Sequence, residues 1–229
     1  MKLILFDIDG TLLQTDGAGR KSMEAALHVV FGASGDPTYR FDGKTDRQIV
    51  REQMRYAGVD NETIDARMND LLDAYLGNLR ETLIRDPASA QLCDGVHALL
   101  DAVEGSTGVV MGLLTGNVRD GAAHKLHAVG LDIARFRINA FGSDHEHRPE
   151  LPGVAQRRAQ ESLGVDMPGD RIVIIGDTPA DIACGRPIGA RAVGVATGRY
   201  AVEELAAHAP HAVFANLSDT DRVLEALLA

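Results

Sequence analysis

No stretch of this 229-residue chain approaches the ~18 consecutive apolar residues of a membrane span. Its start also lacks the charged and apolar regions of a secretion signal. Cysteine is scarce: Cys93 and Cys184 cannot build a disulfide scaffold and read as reduced thiols. Together these absences lead us to expect a soluble cytoplasmic protein with no membrane partner. Positive charge is in deficit, with 23 Lys and Arg against 33 Asp and Glu and a net charge of -10. That balance speaks against nucleic acid as a partner. Any anionic ligand must therefore be held by cations gathered locally. No internal repeat or low-complexity tract interrupts the chain. A hydrophobic content of 45% supports a globular core, as one large domain or one domain with a small insertion.

Three short apolar runs each stop at a cluster of acidic or hydroxyl residues. Leu3 to Phe6 leads into Asp7-Ile8-Asp9-Gly10-Thr11. Val109 to Leu114 leads into Thr115-Gly116-Asn117, and Ile172 to Ile175 into Gly176-Asp177-Thr178-Pro179-Ala180-Asp181. Runs of this length read as buried strands of a parallel sheet, whose carboxyl ends form the crevice where ligands sit. Segments far apart in sequence would then bring Asp7, Asp9, Thr115, Asp177 and Asp181 to one place. Crowded carboxylates repel one another unless a cation lies between them, and a hard oxygen-liganded ion such as Mg²⁺ answers that need. The pattern predicts a metal-dependent active site.

On these motifs, taken in order, the chain resembles the haloacid dehalogenase superfamily, and within it the phosphoglycolate-phosphatase-like branch. The likeness covers nearly the whole chain. It implies a doubly wound α/β core with an inserted all-helical cap. It also implies a Mg²⁺-dependent phosphomonoesterase acting on a small phosphorylated metabolite through an aspartyl-phosphate. Asp7 takes the nucleophile's place and Asp9 that of the acid and base. Thr115 would bind the phosphoryl group, aided by the backbone of Ile8 and Gly116 and by Asn117. Asp7, Asp9, Asp177 and Asp181 are the implied metal residues, Asp9 through its carbonyl. The superfamily's third motif is usually a lysine opening a helix. Here the matching stretch is His147-Arg148-Pro149-Glu150-Leu151, so Arg148 takes that role. Arginine keeps the charge but is not interchangeable with lysine. A sugar phosphomutase or a catalytically silent binding protein on the same fold remain alternatives. Monomer and homodimer are both open.

Between the first and second runs the rhythm becomes helical. Met23, Ala26, Leu27 and Val30 share one face, Thr45 begins a second helix, and Ile64 to Leu83 holds the period through a third, with a possible break at Gly77. Residues 15–86 are thus expected as the cap, and residues 1–14 with 87–229 as the core. Hinges are expected in 14–19 and 84–91. Beyond the cap, helices and strands alternate, with Asn117, Thr178 and Ser218 as expected helix caps. Lys44, on a cap stretch that faces the site in the resembling phosphatases, is a candidate substrate contact. Gly43-Lys44-Thr45 imitates the end of a P-loop, but Thr38 stands where that loop needs glycine. Ser22 likewise spoils a dinucleotide fingerprint at Gly17-Ala18-Gly19. The polar stretch Asp144-His145-Glu146-His147 reads as a solvated loop.

Overall fold

The computed structural model describes all residues, 1–229. Its elements in chain order begin with strands β1 (Lys2–Phe6) and β2 (Leu13–Gln14). Helices α1 (Ala18–Phe31), α2 (Asp46–Tyr56) and α3 (Asn61–Arg85) come next, followed by β3 (Gln91–Leu92). Then α4 (Val96–Glu104), β4 (Val109–Thr115), α5 (Arg119–Ala128), β5 (Ile138–Phe141), α6 (Leu151–Leu163) and β6 (Ile172–Gly176) alternate. The chain closes with α7 (Pro179–Cys184), β7 (Arg191–Val195), α8 (Val202–Ala206), β8 (Ala212–Phe214) and α9 (Thr220–Leu228).

Six strands form one parallel sheet in the order β5-β4-β1-β6-β7-β8. This is a doubly wound α/β core, with β1 at its centre between β4 and β6. The three apolar runs of the sequence are these three neighbours, so their carboxyl ends lie side by side. Both faces of the sheet are covered. One carries a cluster that includes Ile4, Phe6, Leu100, Leu113 and Leu126, and the other includes Leu3, Leu5, Leu114, Leu151 and Ile174. Burial on both faces explains why the strands read as continuous apolar runs rather than alternating ones.

Helices α1 to α3 pack around a separate apolar cluster of Met23, Leu27, Val50, Met54, Met68, Leu71 and Tyr75. The chain leaves the core through β2 and returns through β3, which pair antiparallel as Leu13 with Leu92 and Gln14 with Gln91. Thr45 is the N-cap of α2, accepting the Gln48 backbone N–H at 3.1 Å. Three local expectations are corrected. Helix α3 runs 25 residues without a break at Gly77. One interior glycine costs about 1 kcal/mol, which the seven buried side chains of that helix outweigh. The N-cap position of α5 is Val118, not Asn117, whose side chain turns to the site instead. Helix α9 is capped by Asp219, one residue past Ser218.

Candidate active site

At the end of β1, Asp7 and Asp9 emerge on the same side, as two-residue spacing in extended backbone requires. Gly10 then turns the chain at φ +78°, and a Cβ there would overlap the Asp177 carboxylate. Glycine is needed on both counts. The Asp7 carboxyl is buried, and a single cation meets it, with Arg148 Nη2 3.2 Å from Oδ1. Burial raises its pKa to about 7, opposed by the Arg148 charge and assisted by Asp181 and Asp9.

Asp7, Asp177 and Asp181, all buried, place carboxylate oxygens within 4.8 Å of one another. Asp177 accepts from Thr11 Oγ1 at 3.4 Å, and burial followed by the charges of Asp181 and Asp7 holds its pKa well above the usual range. Asp181 is the third residue of α7 in a capping box: its Oδ2 takes the Thr178 N–H at 3.0 Å and hydroxyl at 2.6 Å. Its Oδ1 pairs with Arg148. Three carboxylates around one guanidinium leave an excess of negative charge in a buried, all-oxygen pocket. That donor set fits a hard divalent cation.

Arg148 reaches this cluster from a single 3₁₀ turn ahead of α6. Its side chain is 4% exposed, and its Nε has no partner. The carboxylates outweigh the cost of burial and raise its pKa, so it is always charged. Arg158, about two turns into α6, points elsewhere and forks onto Asp144 at 2.6 and 2.7 Å. Asp144 and Glu146 are not free loop acids, since Glu146 also pairs with Arg51 of the cap at 2.5 Å.

Thr115 ends β4 with its hydroxyl 2.8 Å from Asn117 Nδ2. Gly116 lies under the cap: its carbonyl accepts the Asp46 N–H at 2.8 Å, and a Cβ there would overlap the Lys44 carbonyl. Ile8 is wholly buried. A cavity of about 210 Å³ opens over these groups, lined among others by Asp7, Asp9, Thr115, Gly116, Asn117 and Arg148. Arg20 and Lys44 of the cap also line it. Lys44 is held by Glu52 at 2.5 Å and Tyr39 at 2.8 Å.

Sequence reasoning missed Lys125, Asp46, Tyr75 and Arg20, all of which line the same cavity. A signal existed for Lys125, which falls on the apolar face of α5 with Ala122 and Leu126. Asp46 belongs to the same stretch as Lys44, which faces the site in the resembling phosphatases, but nothing in the sequence marked its carboxyl as buried, where burial lifts its pKa to about 6.

With this geometry in view, the chain was compared with known proteins. The HAD-hydrolase-like family model, named for the haloacid dehalogenases, matches residues 152–220. Phosphoglycolate phosphatase of Rhodospirillum rubrum is 28% identical over 95% of this chain and 90% of its own. N-acetylmuramic acid 6-phosphate phosphatase of Pseudomonas aeruginosa is 26% identical over 91% of this chain and 87% of its own. Among solved structures, β-phosphoglucomutase of Clostridium difficile superposes with a TM-score of 0.73 at 16% identity, covering 100% of this chain and 97% of its own. At that identity the likeness speaks for the fold alone.

Proposed function

We propose that the chain is a phosphatase of the haloacid dehalogenase superfamily, and that it hydrolyses a small phosphate monoester through an aspartyl-phosphate on Asp7, with Mg²⁺ as its metal. One observation carries the reading. Asp7 sits on the floor of a polar cavity against the charged Arg148, with Asp9 beside it and the acidic cluster around it.

In this reading Asp7 attacks phosphorus, and the bond to the ester oxygen breaks. Asp9 gives that oxygen a proton and later takes one from the water that cleaves the acyl phosphate. The Thr115 hydroxyl and the N–H groups of Ile8 and Gly116 receive the phosphoryl oxygens. Arg148 neutralises charge on them and on Asp7, and its unpartnered Nε is a donor in reserve. Asp7 and Asp177, with the Asp9 carbonyl, would hold the Mg²⁺, while Asp181 keeps Arg148 in place. Bound there, the ion would neutralise charge developing on the phosphoryl oxygens. The cavity of about 210 Å³ suits a small substrate. Arg20 and Lys44 in its lining are already paired with Glu24 and Glu52, so it is the likeness to phosphoglycolate phosphatase that makes a phosphoglycolate-like ester the first candidate.

Phosphate release from p-nitrophenyl phosphate and phosphoglycolate, with EDTA and then with Mg²⁺, tests this. Activity should require Mg²⁺, and Asp7→Asn should abolish it with far-UV circular dichroism unchanged. Turnover in EDTA, or an Asp7→Asn protein within about tenfold of the parent, would reject the assignment.

A further inference from the structure

Helix α5 turns Gly121, Ala122, Lys125 and Leu126 inward. A lysine on such a face is rarely tolerated unless its charge is paired. Lys125 is paired completely. Its side chain is 5% exposed, and Nζ contacts Asp9 Oδ1 at 2.8 Å, Asp9 Oδ2 at 2.7 Å and Asn117 Oδ1 at 2.6 Å. An ammonium has three N–H donors, and here all three have acceptors. None is left for a ligand, so whatever Lys125 does in the reaction passes through its partners.

The carboxylate it grips is asymmetrically occupied. Asp9 Oδ2 takes a second hydrogen bond, from Asn117 Nδ2 at 2.7 Å, while Oδ1 receives only the one from Lys125. The Asp9 side chain nevertheless stays 44% exposed and lines the cavity. The remaining Asn117 N–H goes to Thr115 Oγ1 at 2.8 Å, which ties the grip to the hydroxyl at the end of β4. From the cap, Gly19 leaves room for the ammonium, because a Cβ there would lie 3.3 Å from Nζ. The Asp46 carboxylate, bonded to the Val118 N–H at 2.8 Å, adds a nearby charge of opposite sign. Lys125 thus stands where cap and core meet.

We infer that Lys125 is a positioning residue that, with Asn117, fixes the rotamer of Asp9 so that Oδ1 faces the cavity as the oxygen exchanging a proton with the leaving group. The inference rests on the phosphatase reading of the site and adds the residue that aims its acid.

Three aryl phosphates of rising leaving-group ability test it: phenyl, p-nitrophenyl and 2,4-dinitrophenyl phosphate, with kcat/KM as the readout. This quantity reports transfer to the enzyme, the step in which a poor leaving group needs Asp9 and a good one does not. Lys125→Met should lower kcat/KM on the order of 10²-fold for phenyl phosphate and by less than about threefold for the dinitrophenyl ester. In an Asp9→Asn background the same substitution should add less than about threefold, since both act on one event. Lys125→Gln keeps a donor near Asp9 and should show the same trend, more weakly. It carries the test if the Met variant fails to fold. A loss equal across the three esters, or no loss, would overturn the inference and leave Lys125 as a cap–core link only. Lack of Mg²⁺-dependent turnover in the parent protein would instead reject the phosphatase reading, and this inference with it.

Discussion

Arg148 is the residue at which this chain departs from the lysine usual in the resembling superfamily, and its geometry explains how the change is accommodated. The longer side chain reaches back from the turn before α6 and bridges Asp181 and Asp7, contacting the Leu114 carbonyl at 3.4 Å as well. All three contacts are made by one nitrogen, Nη2, so the arginine sets its charge at a point that an ammonium could also occupy. Removing it leaves three buried carboxylates without their cation, so Arg148→Ala should cost both activity and stability. We expect kcat to fall on the order of 10²-fold or more and the melting temperature to drop by several degrees. Arg148→Lys should recover much of the kcat, because a charge returns even though the fork does not. Arg157→Ala and Arg158→Ala should stay near the parent in steady-state assays, as Arg158 serves Asp144 and Arg157 is exposed. A silent Arg148→Ala with a dead helix variant would relocate the phosphate contact to α6.

Among the elements, the segment between β4 and α5 depends most on what packs over it. Gly116 has the Lys44 carbonyl so close above it that the smallest side chain cannot fit. The Asp46 N–H binds the Gly116 carbonyl, and the Asp46 carboxylate binds the Val118 N–H, so the start of α2 docks on this loop twice. Gly116→Ala should therefore push the cap loop away without unfolding the core. The expected result is a loss of kcat/KM of at least about tenfold with a melting temperature within a few degrees of the parent. Unchanged kinetics would mean that the docked cap loop has no part in catalysis. The β2–β3 ribbon, two residues to a strand, is the only sheet pairing between the ends of the cap-forming segment. A ribbon that short is marginal by itself and suits a hinge.

For the whole molecule, the concentration of buried acid makes an electrostatic prediction. Burial raises the pKa of Asp7 to about 7 and of Asp46 to about 6, and places Asp177 well above its usual value. Groups shifted in this direction hold protons in the folded state that the unfolded chain has already released. Their contribution to stability is present below the unfolded carboxylate pKa and is lost as pH rises through the folded values. Acids shifted downward, such as Glu52 and Asp144, are fully ionised before that window and do not offset it. The metal-free protein should melt at lower temperature at about pH 8 than at about pH 5. Added Mg²⁺ should raise the melting temperature most at the higher pH, since binding requires the ionised carboxylates. Calorimetry with EDTA and with Mg²⁺ checks both; a metal-free protein equally stable at the two pH values would contradict these burial shifts. The two thiols have no part in this, since burial lifts Cys93 to about 11 and Cys184 to about 12.

What the sequence determined by itself was local and periodic. Apolar runs doubly buried in a parallel sheet must read as β1, β4 and β6, and polar residues just past them must fall at the carboxyl edge, where Asp7, Asp9, Thr115 and Asp177 do converge. Thr178-Pro179 had to start a helix, since an N-cap and a proline at the first position leave the backbone few other choices. Only the tertiary structure decided which polar groups meet. Lys125 and Asp9 are 116 residues apart, Asp46 and Val118 are 72 apart, and nothing in the neighbourhood of either residue announces its partner. Asn117 looked like a helix cap because caps are legible from neighbours. It became the link between Asp9, Thr115 and Lys125 because closing the fold set those groups within its reach. Periodicity reports which face of an element is buried; the identity of what lies across that face depends on how the elements pack.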